Sequence, residues 1–323
     1  MSGRLKKNLI IAVTTLALAA TGCGCSYTGT DSSGRPVAAV VYPQQAALLR
    51  PIVGDEFEIV TLLPPGSDPE TYEPSMSTMK ALTHADILFA MGTPGFEQSV
   101  LRGVEANFPD LKVIDSSAGI ERLTHTHGSA EYGKLDHGHG HSHGHDDHEA
   151  EIEGDPHLLT SVRNARIMAA NIVSALSSLN PAESATYRRR LASLDSVLTV
   201  TDDSLRSILD RGARPFVMLH PSLSYFAHDY GLTQLSMEQD GKEPSPRMYA
   251  QTMKTLSVSD PALLVTERTH SSPQLKAMAD EAGIPELVVD LNSEDWIANL
   301  YKIAEALTSR NAKGGSPQKE TIK

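Results

Sequence analysis

Residues 180–210, NPAESATYRRRLASLDSVLTVTDDSLRSILD, decide the predicted architecture. Asn180 suits a helix N-cap, Pro181 suits the first helical position, and Glu183 can close a capping box. No further proline or glycine interrupts the stretch, so it predicts one helix of about 30 residues, roughly 45 Å long. A helix of that length is typical of a rigid connector between two lobes. Two helices that break near residues 199–203 are the alternative.

On both sides of this helix, short apolar runs alternate with amphipathic stretches, a pattern that predicts βα units. Ser75 is a predicted N-cap, and Gly231 and Gly283 are predicted helix ends. The fold class is therefore α/β, with two α/β lobes joined by one long rigid helix. The predicted divisions are an N-terminal lobe over 37–180, a linking helix over 181–211, a C-terminal lobe over 212–308 and a disordered tail over 309–323.

The first 22 residues have a basic start and a short apolar stretch, which is typical of a secretory signal and too short for a mature membrane span. Small residues precede Cys23 and resemble a lipobox, which predicts lipidation at that cysteine; Cys25 is a weaker candidate. Residues 23–36 then form a predicted flexible tether. An ordinary secretory signal is the alternative. Both cysteines lie here, so we expect no thiolate metal ligand in the mature domain.

A histidine-rich run lies inside the chain, in the segment 124–150. Imidazole is the commonest transition-metal ligand in proteins, and a run with so few apolar side chains cannot build a packed core. We therefore predict a solvated loop with auxiliary metal sites, against the alternative of a passive polar linker. Its candidate ligands are His125, His127, His137, His139, His141, His143, His145 and His148. The formal net charge of −12 also favours cations and argues against nucleic acid as a partner.

Four further ligand-type residues fall in turns or just past predicted strand ends: Glu70, His157, His220 and Asp290. In open α/β sheets, ligands bind outside the carboxyl ends of the strands. Two candidates come from each predicted lobe, so a cleft between the lobes is the natural place for a metal site. Spacing alone does not establish that cleft.

Several segments resemble one family in the correct order. They are LLPPGSDPETYEP (62–74), Ala85-Asp86 with Gly92 and Glu97, Asp155-Pro156-His157, His220 with YFAHDYGL (225–232), Glu243-Pro244-Ser245, Thr266-Glu267 and Val288-Val289-Asp290. The chain is similar over roughly residues 37–307 to the zinc/manganese solute-binding proteins of ABC transporters, the ZnuA/TroA-like family. Each motif alone is weak, whereas the ordered set is specific. The family's histidine-rich insertion also lies between its first two ligand motifs.

The resemblance implies one metal ion between two lobes, held by Glu70, His157, His220 and Asp290. The family usually has histidine where this chain has Glu70, so Glu73 or a loop histidine could substitute for it. A carboxylate there favours Mn²⁺ or Fe²⁺, whereas the histidine run and the usual order of stabilities favour Zn²⁺. We expect Zn²⁺, with Mn²⁺ as the alternative. Glu267 is a predicted partner that orients a ligand imidazole.

The resemblance further implies an extracytoplasmic, membrane-anchored monomer that delivers its ion to the transmembrane subunit of an ABC permease. A hydrolytic zinc enzyme would need an open metal position and a nearby base, but the chain has no HExxH motif. We therefore expect no enzyme. A surface zinc buffer or adhesin that works without a transporter is a third interpretation. His84, His228 and His270 are interpreted as structural or surface residues.

Overall fold

The computed structural model describes residues 34–123, 154–237 and 246–309. The predicted signal peptide, most of the tether with Cys23, and the eight histidines of the insertion lie outside the described residues. So does the tail beyond residue 309. Among the described helices, none is long and apolar enough to cross a membrane.

The N-terminal lobe contains a four-stranded parallel sheet in the order β2-β1-β3-β4. Strands β1 and β3 are fully buried, as expected for central strands covered on both faces. The strands are β1 (Val37–Val40), β2 (Glu58–Thr61), β3 (Ile87–Ala90) and β4 (Lys112–Asp115), and the helices are α1 (Pro43–Val53), α2 (Met76–Ala81), α3 (Phe96–Asn107) and α4 (Val162–Leu179).

The C-terminal lobe repeats this arrangement with the strand order β6-β5-β7-β8, again parallel throughout. Its strands are β5 (Phe216–Met218), β6 (Gln234–Ser236), β7 (Leu264–Glu267) and β8 (Glu286–Val289). Its helices are α6 (Ser224–Tyr230), α7 (Pro246–Ser259), α8 (Pro273–Ala282) and α9 (Trp296–Thr308). The predicted fold class is thereby confirmed.

The long connector is a single helix, α5 (Ser184–Leu209), of 26 residues and about 39 Å. It packs against α1 and α4 of the N-terminal lobe and against α9 of the C-terminal lobe. Arg190 on α5 donates to the carbonyls of Ile52 and Val53, both at 3.0 Å, and so satisfies the C-terminal end of α1. One continuous hydrophobic core includes residues of both lobes and of α5, so the helix packs into the core that the lobes share.

The start of α5 differs from the predicted capping box. Residues Pro181–Glu183 form a 3-10 turn, and the Asn180 side chain makes no capping hydrogen bond. The side-chain amide of Asn180 instead donates through Nδ2 to Glu56 Oε1 at 3.3 Å. The polar side chain therefore ties the chain to the N-terminal lobe.

Other predicted helix ends are confirmed. Ser75 Oγ accepts a hydrogen bond from the amide of Thr78 at 3.1 Å, which begins α2. Gly231 and Gly283 end α6 and α8 in the left-handed conformation, which glycine adopts at little cost.

Candidate metal centre

The carboxyl edges of the two sheets meet between the lobes. Gln44, just after β1, donates through Nε2 to the carbonyl of Leu291, just after β8, at 2.7 Å. A cavity of about 260 Å³ lies beside this contact and is lined by residues of both lobes, including Tyr42, Glu70 and His157. The sheets therefore direct their loops into one shared cleft.

Three of the predicted ligands converge at this cleft. Glu70, His157 and His220 each offer a ligand atom, and these atoms all lie within 4.8 Å of one another. His220 Nε2 lies 3.2 Å from His157 Nε2 and 3.0 Å from Glu70 Oε1, while His157 Nε2 lies 3.9 Å from Glu70 Oε1. In a tetrahedral zinc site with bonds of about 2.0–2.1 Å, ligand atoms lie about 3.3 Å apart. The spacing therefore suits one small cation.

His157 is oriented by the residue two positions before it. Its ring Nδ1 and its backbone amide both lie 2.8 Å from Asp155 Oδ1, and Asp155 is 1 % exposed. Because an ionised carboxylate only accepts, Nδ1 carries the ring proton and Nε2 presents a lone pair to the cleft. Burial opposes ionisation of Asp155, but the hydrogen bonds from His157 outweigh it and hold the pKa of this carboxyl below its ordinary value. Such carboxylate–imidazole pairs tune metal ligands.

The Asp-Pro-His sequence accounts for this geometry. The Asp155 side chain accepts from the amide two residues ahead, which is an Asx turn, and Pro156 restricts the backbone between them. The structure therefore assigns the orienting role to Asp155, which the sequence interpretation missed. The signal in the sequence was the aspartate two residues before His157, which is typical of an Asx turn.

Glu70 lies on a turn that Asp68 organises. Asp68 Oδ1 accepts from the Glu70 amide at 2.9 Å, and Oδ2 accepts from the Thr71 hydroxyl at 3.0 Å. The Phe96 amide donates to the Pro69 carbonyl at 3.0 Å. Burial of Glu70 opposes ionisation, yet the neighbouring His220 and His157 hold its pKa below the ordinary value. The Glu70 side chain remains 39 % exposed, which makes it the least enclosed of the three.

Gly95 allows this turn to pack tightly. Its φ is +74°, and a Cβ there would stand 2.9 Å from the Pro69 carbonyl oxygen. An L side chain would be strained in that conformation and would displace the turn. The glycine thus fixes how closely the β3–α3 loop approaches Glu70.

His220 follows β5 and is 6 % exposed. The His270 ring stacks on it with centroids 5.7 Å apart. His270 Nε2 also lies 3.5 Å from Asp68 Oδ2, so an imidazole of the C-terminal lobe touches the turn that carries Glu70. The carboxylate of Asp68 raises the pKa of His270, while burial of Asp68 is outweighed by its hydrogen bonds, which lower its pKa to about 2. The sequence interpretation had treated His270 as a structural or surface residue.

The structure does not bring Asp290 into the group of three. Asp290 Oδ2 lies 3.5 Å from the Arg268 guanidinium, which competes for the carboxylate, so coordination by Asp290 stays a prediction. Glu267 lies 3.8 Å from His270 Nδ1 and lines the same cavity as Glu70 and His157. Its role toward a ligand imidazole likewise stays a prediction; at His157 the orienting carboxylate is Asp155.

Comparison with known proteins agrees with this architecture. The family model of ZnuA, the periplasmic component A of a zinc-uptake complex, matches residues 37–309. The chain belongs to the ZnuA family. The family is one of solute-binding proteins, as the ordered motifs predicted, and ABC transporters provide their partners.

The relatives of this ZnuA-family chain are described as binding or transporting different metals. The chain is 26 % identical to the zinc-binding protein AdcA of Streptococcus pyogenes serotype M3, over 84 % of this chain and 56 % of AdcA. It is 23 % identical to the iron ABC transporter substrate-binding lipoprotein MtsA of Streptococcus pyogenes serotype M1, over 81 % of this chain and 82 % of MtsA. A crystal structure of ZnuA superimposes with a TM-score of 0.73 and 29 % identity, covering 87 % of this chain and 100 % of that one.

Proposed function

We propose that this protein captures Zn²⁺ outside the cytoplasm and delivers it to the transmembrane subunit of an ABC permease. The observation that supports this most strongly is the approach of His157 Nε2 and His220 Nε2 to 3.2 Å, from two different lobes. Glu70 provides an oxygen ligand, and Asp290 provides a fourth once it releases Arg268. The protein has no catalytic role in this proposal, since its chemistry is reversible coordination.

Zinc fits this donor set because two imidazoles and carboxylate oxygens form ordinary tetrahedral zinc sites. The usual order of stabilities also places Zn²⁺ above Mn²⁺ and Fe²⁺ at the same ligands. The zinc-uptake family and the zinc-binding relative support this choice.

Manganese or iron is the second candidate. Glu70 lies at the position where the family usually has histidine. A carboxylate there makes the ligand set harder and richer in oxygen. The relative MtsA, described as an iron transporter component, supports this alternative.

Elemental analysis of protein purified without added metal, followed by competition between Zn²⁺ and Mn²⁺, separates the two candidates. We expect one tightly held zinc per chain that excess Mn²⁺ does not displace. Retention of manganese or iron against equimolar Zn²⁺ would contradict the zinc assignment.

Lipidation at Cys23 would place the protein on the outer side of a membrane as an anchored monomer, close to its permease. Diacyl anchoring gives stable attachment, and residues 24–36 would act as the tether. We expect Cys23→Ser to release the protein from the membrane fraction. Light scattering of a lipid-free form should give the mass of one chain; a stable dimer would contradict the monomer.

The histidine-rich insertion would supply weak auxiliary sites that raise the local zinc concentration or respond to zinc excess. Replacing residues 125–150 with a short Gly-Ser linker should remove several weak sites and leave one tight site in titration calorimetry. Unchanged stoichiometry after this replacement would contradict the auxiliary role.

A further inference from the structure

The two ends of the histidine-rich insertion meet at a single point of the described fold. The Asp155 amide donates to the Leu123 carbonyl at 2.8 Å, although thirty residues separate Leu123 from Gly154 in the sequence. Gly154 permits this approach, since a Cβ there would stand 2.8 Å from Arg122 Cβ and 3.2 Å from the Leu123 carbonyl oxygen. Leu123 and Asp155, which lie on either side of the insertion region, are therefore neighbours, and Asp155 lies two residues before His157.

One side chain of the other lobe joins both ends. The Tyr225 hydroxyl accepts from the Leu123 amide at 3.1 Å and donates to the Asp155 carbonyl at 2.9 Å. Its proton and an oxygen lone pair are both used. Tyr225 is 3 % exposed, so water cannot easily replace these hydrogen bonds when the hydroxyl is removed.

Tyr225 also connects the two imidazoles. It lies in the first turn of α6 (Ser224–Tyr230), five residues after His220, and it binds the backbone of Asp155, whose carboxylate orients His157. A displacement of Asp155 would rotate or shift the His157 ring relative to His220. Bringing together the two ends of this thirty-residue segment costs loop-closure entropy. One of those ends is Asp155, whose carboxylate also orients His157.

We propose that the Tyr225 hydroxyl is a positioning group that fixes the Asp155–His157 turn against the His220 lobe and pins both ends of the insertion. The tight site thereby keeps its geometry independently of residues 124–153. This inference rests on the proposed metal-binding function of Glu70, His157 and His220.

The test compares Tyr225→Phe with Tyr230→Phe in the full chain. Tyr230 lies on the same helix and donates its hydroxyl to Asp202 at 2.7 Å, away from the insertion, so it is a matched control. Zinc affinity is measured by competition with a chromophoric chelator strong enough to report only the tight site. We expect Tyr225→Phe to weaken zinc binding by about tenfold or more, the range of lost orienting partners, and Tyr230→Phe to leave it within about twofold.

A spectroscopic measurement separates positioning from general destabilisation. Bound Co²⁺ should show a changed visible absorption in Tyr225→Phe and an unchanged one in Tyr230→Phe, with folding of both verified by thermal melting. Equal zinc affinity in Tyr225→Phe and the wild type would overturn the proposal. Equal losses and equal spectra in the two tyrosine variants would also overturn it.

A second pair of proteins tests the pinning of the insertion. In both, a short Gly-Ser linker replaces residues 125–152, and one of the two also carries Tyr225→Phe. There a short covalent link keeps the two ends close together, so we expect a smaller loss from Tyr225→Phe than in the full chain. An undiminished loss would overturn the pinning of the insertion. Failure of the wild-type chain to bind zinc would instead refute the proposed function, which keeps the two failures distinct.

Discussion

The two lobes share one strand order, but they build the facing edges of their sheets from different side chains. After β1, the N-terminal lobe presents Tyr42, whose hydroxyl lies 2.6 Å from Thr93 Oγ1. Thr93 also hydrogen-bonds the buried carboxyl of Glu97 at 2.5 Å. After β5, the corresponding strand, the C-terminal lobe presents His220. The same position thus holds a scaffold network in one lobe and a candidate metal ligand in the other.

The N-terminal network supports its ligands indirectly. Glu97 Oε1 accepts from the amides of Met91 and Gly92, each at 2.6 Å, and burial raises the pKa of this carboxyl. The bonds shape the loop that ends at Gly95, against which the Glu70 turn packs. The N-terminal lobe therefore contributes ligands from turns, whereas the C-terminal lobe contributes one from a strand end. We expect the metal to depend most on the enclosed imidazoles and least on the exposed carboxylate.

The largest effect is expected from His220→Ala, and His157→Ala should approach it. Each change removes a nitrogen ligand, so zinc affinity should fall by more than the roughly 10–100-fold typical of losing an orienting partner. Competition with a strong chelator measures the loss. His228→Ala, at a side chain that is 65 % exposed, is the control; a loss there as large as that of His220→Ala would contradict the assignment.

Asp155→Asn should have the next largest effect, about 10-fold in zinc affinity. The amide keeps the shape but loses the charge that orients the His157 ring and makes it a stronger donor to the metal. Asp195→Asn, which breaks a surface pair with Arg166, serves as the matched control. Equal affinities in both variants would show that Asp155 has no influence on the ligand.

Glu70→His is expected to change the preference for zinc over manganese more than the affinity for zinc itself. A third imidazole should increase zinc affinity several-fold and widen the ratio of zinc to manganese affinity, because nitrogen ligands suit Zn²⁺ better than Mn²⁺. Competition titrations with both metals measure the ratio. Glu73→His, three residues away and exposed, should not change it; an unchanged ratio in Glu70→His would remove Glu70 from the site.

The smallest effect concerns the contact between His270 and Asp68. The folded-state pKa of His270 is raised, so its stabilising contribution is full below about pH 6.5 and is lost as the pH rises through the higher folded value. Asp68 stays ionised above its lowered pKa of about 2. The free energy of unfolding of the metal-free protein should therefore exceed that of His270→Gln by more at pH 5.5 than at pH 8.5.

We expect this difference to be under about 1 kcal/mol, as for other partly exposed ion pairs. Urea unfolding of both chains at the two pH values measures it. If the stability difference between the wild type and His270→Gln were larger at pH 8.5 than at pH 5.5, the result would contradict a stabilising ion pair between His270 and Asp68.

Much of the fold could be predicted because its signals are local. The uninterrupted stretch up to Asp210 gave one continuous helix, and Ser75 and Gly231 marked real helix ends. The 3-10 turn of Pro181–Glu183 could not be predicted, because the Asn180 side chain hydrogen-bonds Glu56, 124 residues away in sequence. Helix α3 was missed, although Phe96, Val100 and Val104 recur every four residues and are all buried.

Three candidate ligands of the site were predictable from the sequence, but the residues that contact them were not. Residue types and motif order pointed to Glu70, His157 and His220, and the structure brings these three together. The pairing of Asp290 with Arg268 and the stacking of His270 on His220 each join loops that follow different strands of the C-terminal sheet. No spacing within one segment carries that information.

A crystal structure of the zinc-loaded protein, with anomalous diffraction measured at the zinc edge, tests the central claim most directly. We expect one strong anomalous peak between the lobes, about 2.0–2.2 Å from His157 Nε2, His220 Nε2 and a Glu70 oxygen. A peak bound to other side chains, with His157 and His220 both unliganded, would contradict the account.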